Sequence, residues 1–128
     1  MSGIVIFILF FIIVALLAFW VMTKFFLTKV GGPSMLPTYQ DGDVLLIRPV
    51  LFHSKEKPKV GDVYIYTHGK QVIKRLVSKL PNPFSENCLC FFEGDNKDHS
   101  YDSRHYGPVE WYRVRFKVVK KLFNYKYI

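Results

Sequence analysis

Residues Val63-Tyr64-Ile65-Tyr66-Thr67-His68-Gly69-Lys70-Gln71-Val72-Ile73-Lys74-Arg75-Leu76-Val77 decide the fold. Two runs of β-branched and aromatic residues flank His68-Gly69-Lys70, a turn, so Val63 to Thr67 and Gln71 to Val77 read as a β-hairpin. In the second strand Val72, Lys74 and Leu76 share one face, and Ile73, Arg75 and Val77 the other. An amine among apolar neighbours is poorly solvated when charged, and its pKa falls. The competing reading is a lysine whose stem carries the amine out to water.

Outward from the hairpin the chain continues as strands and turns. Asp41-Gly42-Asp43 breaks the chain before Val44-Leu45-Leu46-Ile47, and Val60-Gly61-Asp62 before Val63. Phe52 to Lys59, polar, Lys-rich and closed by Pro58, reads as an exposed loop. Pro81-Asn82-Pro83 ends the second hairpin strand. Cys88 to Phe92 is another short apolar stretch. Tyr112, Val114, Phe116 and Val118 alternate with Arg113, Arg115, Lys117 and Val119, which predicts a half-buried strand with a basic outer face. The region after the N-terminus is therefore mainly β. Cys88 and Cys90 lack the spacing of a zinc or redox motif and read as two small residues on one strand face; a local disulfide and a partner-linked thiol stay open.

Gly3 to Met22 contains no charged side chain. At ~1.5 Å per residue it reaches the ~30 Å of a bilayer core. A cleaved signal peptide would have a basic stretch first, an apolar run of ~7 to 15 residues and a small-residue cleavage site. Here no Lys or Arg precedes Lys24 and Phe19-Trp20 is bulky, so an uncleaved anchor over residues 1–23 is the better reading. Residues 24–128 then form one small domain. The formal charge of +8, from 18 Lys and Arg against 10 Asp and Glu, suits an anionic lipid surface. No nucleic-acid signature accompanies it, and no His-Glu-x-x-His or similar cluster points to a metal or cofactor.

Ser34 lies in Gly32-Pro33-Ser34-Met35-Leu36-Pro37-Thr38. A serine hydroxyl becomes a nucleophile when a base takes its proton, and a lysine kept neutral by burial is such a base. A linker serine that only turns the chain is the competing reading.

Four stretches, in order, resemble the type I signal peptidase family of membrane-bound Ser/Lys endopeptidases. Ser34-Met35-Leu36-Pro37-Thr38 resembles the nucleophile box, Gly61-Asp62-Val63 the next strand box, and Ile73-Lys74-Arg75-Leu76-Val77 the general-base box. Gly94-Asp95-Asn96-Lys97-Asp98-His99-Ser100-Tyr101-Asp102-Ser103-Arg104, with Gly107-Pro108-Val109, resembles the last box nearly residue for residue. The resemblance implies a β catalytic domain of antiparallel strands behind one transmembrane helix. It implies Ser34 as nucleophile and Lys74 as general base. Ser100 would hydrogen-bond and orient the lysine, and Asp95, Asp102 and Arg104 would hold the wall through a carboxylate–guanidinium pair. The Ser34 backbone N–H would serve the oxyanion, and Met35 and Pro37 would contact substrate. Some bacterial members carry a hydroxyl side chain two residues before the nucleophile as a second oxyanion donor; here that residue is Gly32. Two departures stand out: Ser78-Lys79-Leu80-Pro81 replaces the family's Gly-rich turn, and a large accessory insertion is missing, as in compact mitochondrial-like members.

The implied partners are the signal peptides of preproteins, the lipid bilayer and a second peptidase subunit; the implied place is a bacterial plasma membrane or a mitochondrial inner membrane. Lys24 and Lys29 after the span would by the positive-inside rule keep the domain on the cytoplasmic side. The family's work requires the trans side, and four boxes outweigh two lysines. Three alternatives remain: a maturation protease with few clients, a non-catalytic membrane adaptor, and, of the four histidines His53, His68, His99 and His105, a Ser-His-Asp arrangement of His99 or His105 with Asp102.

Overall fold

The computed structural model describes residues 2–50, 56–83 and 87–128. Helix α1 (Gly3–Lys24) is 22 residues long, opened by Ser2, whose hydroxyl accepts a hydrogen bond from the Val5 N–H. None of its residues is buried, and its length and apolarity suffice to cross a membrane. A helix apolar on all sides has no core-facing stripe with which to pack on a water-soluble domain.

One residue separates α1 from the sheet. Strands β1 (Phe26–Lys29), β2 (Asp43–Pro49), β3 (Val63–His68), β4 (Lys70–Pro81), β5 (Cys88–Glu93), β6 (Val109–Glu110) and β7 (Val114–Asn124) form one seven-stranded antiparallel sheet in the order β1-β2-β7-β3-β4-β5-β6. The expected hairpin is β3–β4, closed at Gly69, whose φ of 74° suits a residue without Cβ. β3 is central, and Val63 to Tyr66 are buried on both faces. Tyr64 and Tyr66 enter one core with Leu76, Phe92, Trp111 and Val114; Val63 and Ile65 enter another with Val30, Met35, Leu45, Ile47 and Val118.

The elements depart from sequence expectation at their ends. β4 continues four residues past Val77 to Pro81 because β5 pairs with it from Arg75 onward, across a register shift between Leu76 and Ser78. Tyr112 lies in a 3₁₀ turn (Trp111–Arg113) rather than in the alternating strand, which starts at Val114. The expected loop from Phe52 to Lys59 falls partly, with His53, outside the described residues. Cys88 and Cys90 are free thiols on one face of β5; burial pushes the Cys90 thiol up to about 12.

Because β5 joins β4 only at Arg75, the stretch Lys70–Lys74 pairs with β3 alone among the described residues. That half-strand borders a cleft of about 680 Å³, with Thr28 to Met35 on the opposite side.

Candidate active site

Ser34 sits in the turn between β1 and β2. Met35, 1 % exposed, anchors the turn in the core. The Leu36 N–H donates to Pro33 O at 3.1 Å and the Tyr39 N–H to Met35 O at 3.0 Å. Asn96 holds the turn from outside: its backbone N–H donates to Ser34 O at 2.9 Å and its side-chain amide to Pro33 O at 3.0 Å. The Gly32 N–H donates to Asp41 Oδ1 at 2.8 Å. Asp41 is held in turn by Lys126 through its other oxygen, and the Asn124 amide donates to Asp41 O at 3.1 Å and to Asp43 Oδ1 at 2.8 Å.

Lys74 reaches this turn from β4. Its Nζ lies 2.9 Å from Ser34 Oγ, and the residue is 4 % exposed. Strand alternation sets it between Val72 and Leu76 on a face covered by the first core, as expected from sequence. Burial lowers its pKa below the ordinary lysine value, opposed by the nearby Asp102 charge and aided by Lys70.

The loop from Gly94 to Tyr106 closes the site. Asp102 is fully buried and accepts from Arg104 Nε and Nη2, each at 3.0 Å, from Ser100 Oγ at 2.7 Å and from the Gly94 N–H at 2.9 Å. Burial alone would raise this carboxyl; the bonds from Arg104, Ser100 and the Gly94 and Arg104 amides outweigh it and hold it well below the usual range. Ser100 departs from expectation. Its hydroxyl donates to Asp102 and makes no hydrogen bond to Lys74, whose Nζ meets Ser34 Oγ instead. Gly94 is required by space: a Cβ there would lie 2.2 Å from Ser100 Oγ and 2.5 Å from Ser34 O.

The carboxylate–guanidinium wall consists of two pairs rather than one. Asp102 takes Arg104, while Asp95 takes Arg75, whose Nε and Nη2 each lie 2.8 Å from a carboxylate oxygen. Asp95 also accepts from the Thr38 hydroxyl, and Arg75 with Thr38 holds its carboxyl below the ordinary value against the effect of burial. Arg75, Thr38 and Asn96 escaped the sequence reading. Arg75 carried one signal, a cation between apolar residues on the strand face opposite Lys74; Thr38 and Asn96 carried none beyond lying inside the boxes. Met35 lines the cleft from its buried seat, whereas Pro37 is exposed and is not part of the cleft lining.

No histidine among the described residues hydrogen-bonds to Ser34. His68 and His99 line the cleft, and His105 Nδ1 accepts from the Asp102 backbone N–H at 3.2 Å in a helix cap.

The arrangement places a buried amine against a hydroxyl beside the strand edge at Lys70–Lys74. The Peptidase S24-like family matches residues 14–83. The mitochondrial inner membrane protease subunit 1 of Schizosaccharomyces pombe is 29% identical over 72% of this chain and 69% of its own length. The mitochondrial ATP-independent inner membrane protease subunit 1a of Arabidopsis thaliana is 31% identical over 78% of this chain and 71% of its own. Signal peptidase I V of Bacillus subtilis is 27% identical over 63% of this chain and 76% of its own. With four boxes in order on an antiparallel sheet behind an apolar helix, the chain matches the Peptidase S24-like family and belongs with these relatives to the type I signal peptidase family.

Proposed function

We propose that this protein is a membrane-anchored serine endopeptidase that removes N-terminal signal peptides from exported or sorted preproteins, with Ser34 as nucleophile and Lys74 as general base. The observation that carries the reading is the 2.9 Å contact between Lys74 Nζ and Ser34 Oγ at a buried amine. In its neutral form Lys74 accepts the Ser34 proton as Oγ attacks the scissile carbonyl carbon. The ammonium then protonates the leaving amine and the acyl-enzyme forms. The same amine, neutral again, takes a proton from water, whose oxygen attacks the ester; breaking the C–Oγ bond releases the second product and returns the proton to Ser34.

The Ser34 N–H has no acceptor among the described residues and suits the oxyanion; one such donor is worth about 3 kcal/mol in the transition state. Gly32 offers no side chain, and its N–H is occupied by Asp41. Asp95, Asp102 and Arg104 act as supports, and Ser100 acts on Lys74 indirectly, through the charge of Asp102. The free edge of β4 at Lys70–Lys74 suits an extended substrate added as a strand, with Met35 beneath it.

The domain works on the trans side of its membrane, where signal peptides emerge. Two of the relatives described above are named as subunits, which supports a second peptidase subunit as partner. The test is purified protein in detergent with a model preprotein. Cleavage is lost in both Ser34→Ala and Lys74→Ala; full cleavage by Lys74→Ala would remove the lysine from the mechanism. Protease protection on sealed membranes that found the domain on the cis side would refute the export role.

A further inference from the structure

The cleft contains a group of rings that the Ser34–Lys74 chemistry does not use. His68 and Tyr106 stack with centroids 3.8 Å apart and planes 14° apart. Tyr101 lies 5.2 Å from Tyr106 at 64° and 6.1 Å from His68. The Tyr106 hydroxyl is tied to that of Tyr66, so the group is fixed to the sheet from below. Tyr101 is nevertheless 62 % exposed, and all three rings line the same cleft as Ser34 and Lys74.

Register locates the group along the cleft. His68 faces Lys70 and Tyr66 faces Val72, on the strand face that carries Lys74. The rings therefore stand at the hairpin tip, and Lys70 lies roughly 13 Å from Lys74 at about 3.3 Å per residue. A peptide strand laid along the free edge of β4 covers that distance in about four residues. Alternation returns every second side chain to the same face, so the residue four positions from the one beside Lys74 again faces the rings. Among the described residues no carboxylate lines the cleft, and ring faces and edges open to solvent favour another ring, with Lys70 able to add a cation–π contact.

Resting on the peptidase reading, we propose that His68, Tyr101 and Tyr106 form a remote substrate subsite that binds an aromatic side chain about four residues from the scissile bond, on the arm of the substrate running toward the β3–β4 tip. The rings are specificity-determining and take no part in bond cleavage.

The test uses the full chain in detergent and fluorogenic peptides with Ala or Phe placed singly at positions two to six residues from the bond on either side. At one position near four, Phe raises kcat/KM about three- to tenfold over Ala, the range of a single aromatic pair. That ratio falls toward one in Tyr101→Ala and His68→Ala and is kept in Tyr101→Phe. The same peptides, labelled and bound to Ser34→Ala protein, show the same ratio in Kd. A ratio of one at every position, or one that persists in both alanine variants, overturns the subsite. Cleavage without ring dependence sinks the subsite alone. A ring-dependent Kd ratio with no cleavage by the parent keeps the subsite and sinks the peptidase reading, and absence of both removes both.

Discussion

Lys74 accepts a proton only when neutral, and its surroundings pull in opposite directions: burial lowers its pKa while the Asp102 charge raises it. Cleavage is therefore expected to rise with pH along a limb whose apparent pKa lies below the free-lysine value of 10.5. Asp102→Asn removes the raising influence and moves that limb to lower pH; kcat/KM profiles of parent and variant measure the displacement, and an unmoved limb would disconnect Asp102 from the lysine. The same depression has a sign for stability. Below the folded pKa the amine is charged in both states and burial opposes folding; the opposition fades as pH rises from the folded pKa toward 10.5. A second prediction concerns Gly94. Ala there places a methyl against Ser34 O, a backbone atom held by Asn96 that cannot move aside cheaply. Gly94→Ala is expected to cost about 2 kcal/mol in denaturant titration and to lower kcat more than tenfold; a variant with parental kcat would show that the turn yields freely.

Among the elements, the two acid–guanidinium pairs divide the work of joining the last box to the rest. Asp95 links that box to β4 through Arg75 and to the nucleophile turn through Thr38; Asp102 organises its own loop. Arg75→Lys loses the paired geometry that only a guanidinium supplies and is expected to lower both melting temperature and kcat, although the charge is kept. Both carboxyls are depressed from the ordinary 3.8, so their stabilisation is complete above that pH and is lost as pH falls through their folded values. Asp102→Ala leaves the Ser100 hydroxyl and the Gly94 N–H without their acceptor and costs about 3 kcal/mol at neutral pH by denaturant melts. Its melting midpoint should also vary less than the parent's as pH falls below 3.8; equal acid sensitivity would place the acid transition elsewhere.

How much of this was legible follows from the range over which each signal acts. The β3–β4 hairpin and the strand face of Lys74 are local, written in a turn and an alternation, and both appear as expected; alternation by itself does not separate a buried lysine from one whose amine reaches water. β1 was unreadable: four residues on the sheet edge, with only Thr28 half-buried, carry no periodicity. The extra length of β4 comes from β5, and a strand's partner is not visible in the strand. Arg75 and Asp95 are 20 residues apart, and nothing in the boxes says which guanidinium meets which carboxylate.

At the scale of the whole molecule, α1 contributes no buried residue, so its removal should leave the sheet intact. Deletion of residues 2–24 is expected to preserve the β-type circular dichroism spectrum and a melting temperature within a few degrees, while abolishing recovery with membranes. Cooperative loss of the sheet would instead reveal support that the helix gives the domain.

The turn that carries Ser34 is tied through Asp41 to Lys126, 85 residues further along the chain. Order of synthesis then matters. Ser34 leaves the ribosome early, yet the tie that steadies Gly32 is completed only after β7 has been made and has paired with β2. A half-made chain therefore holds Ser34 in a turn that still lacks this tie.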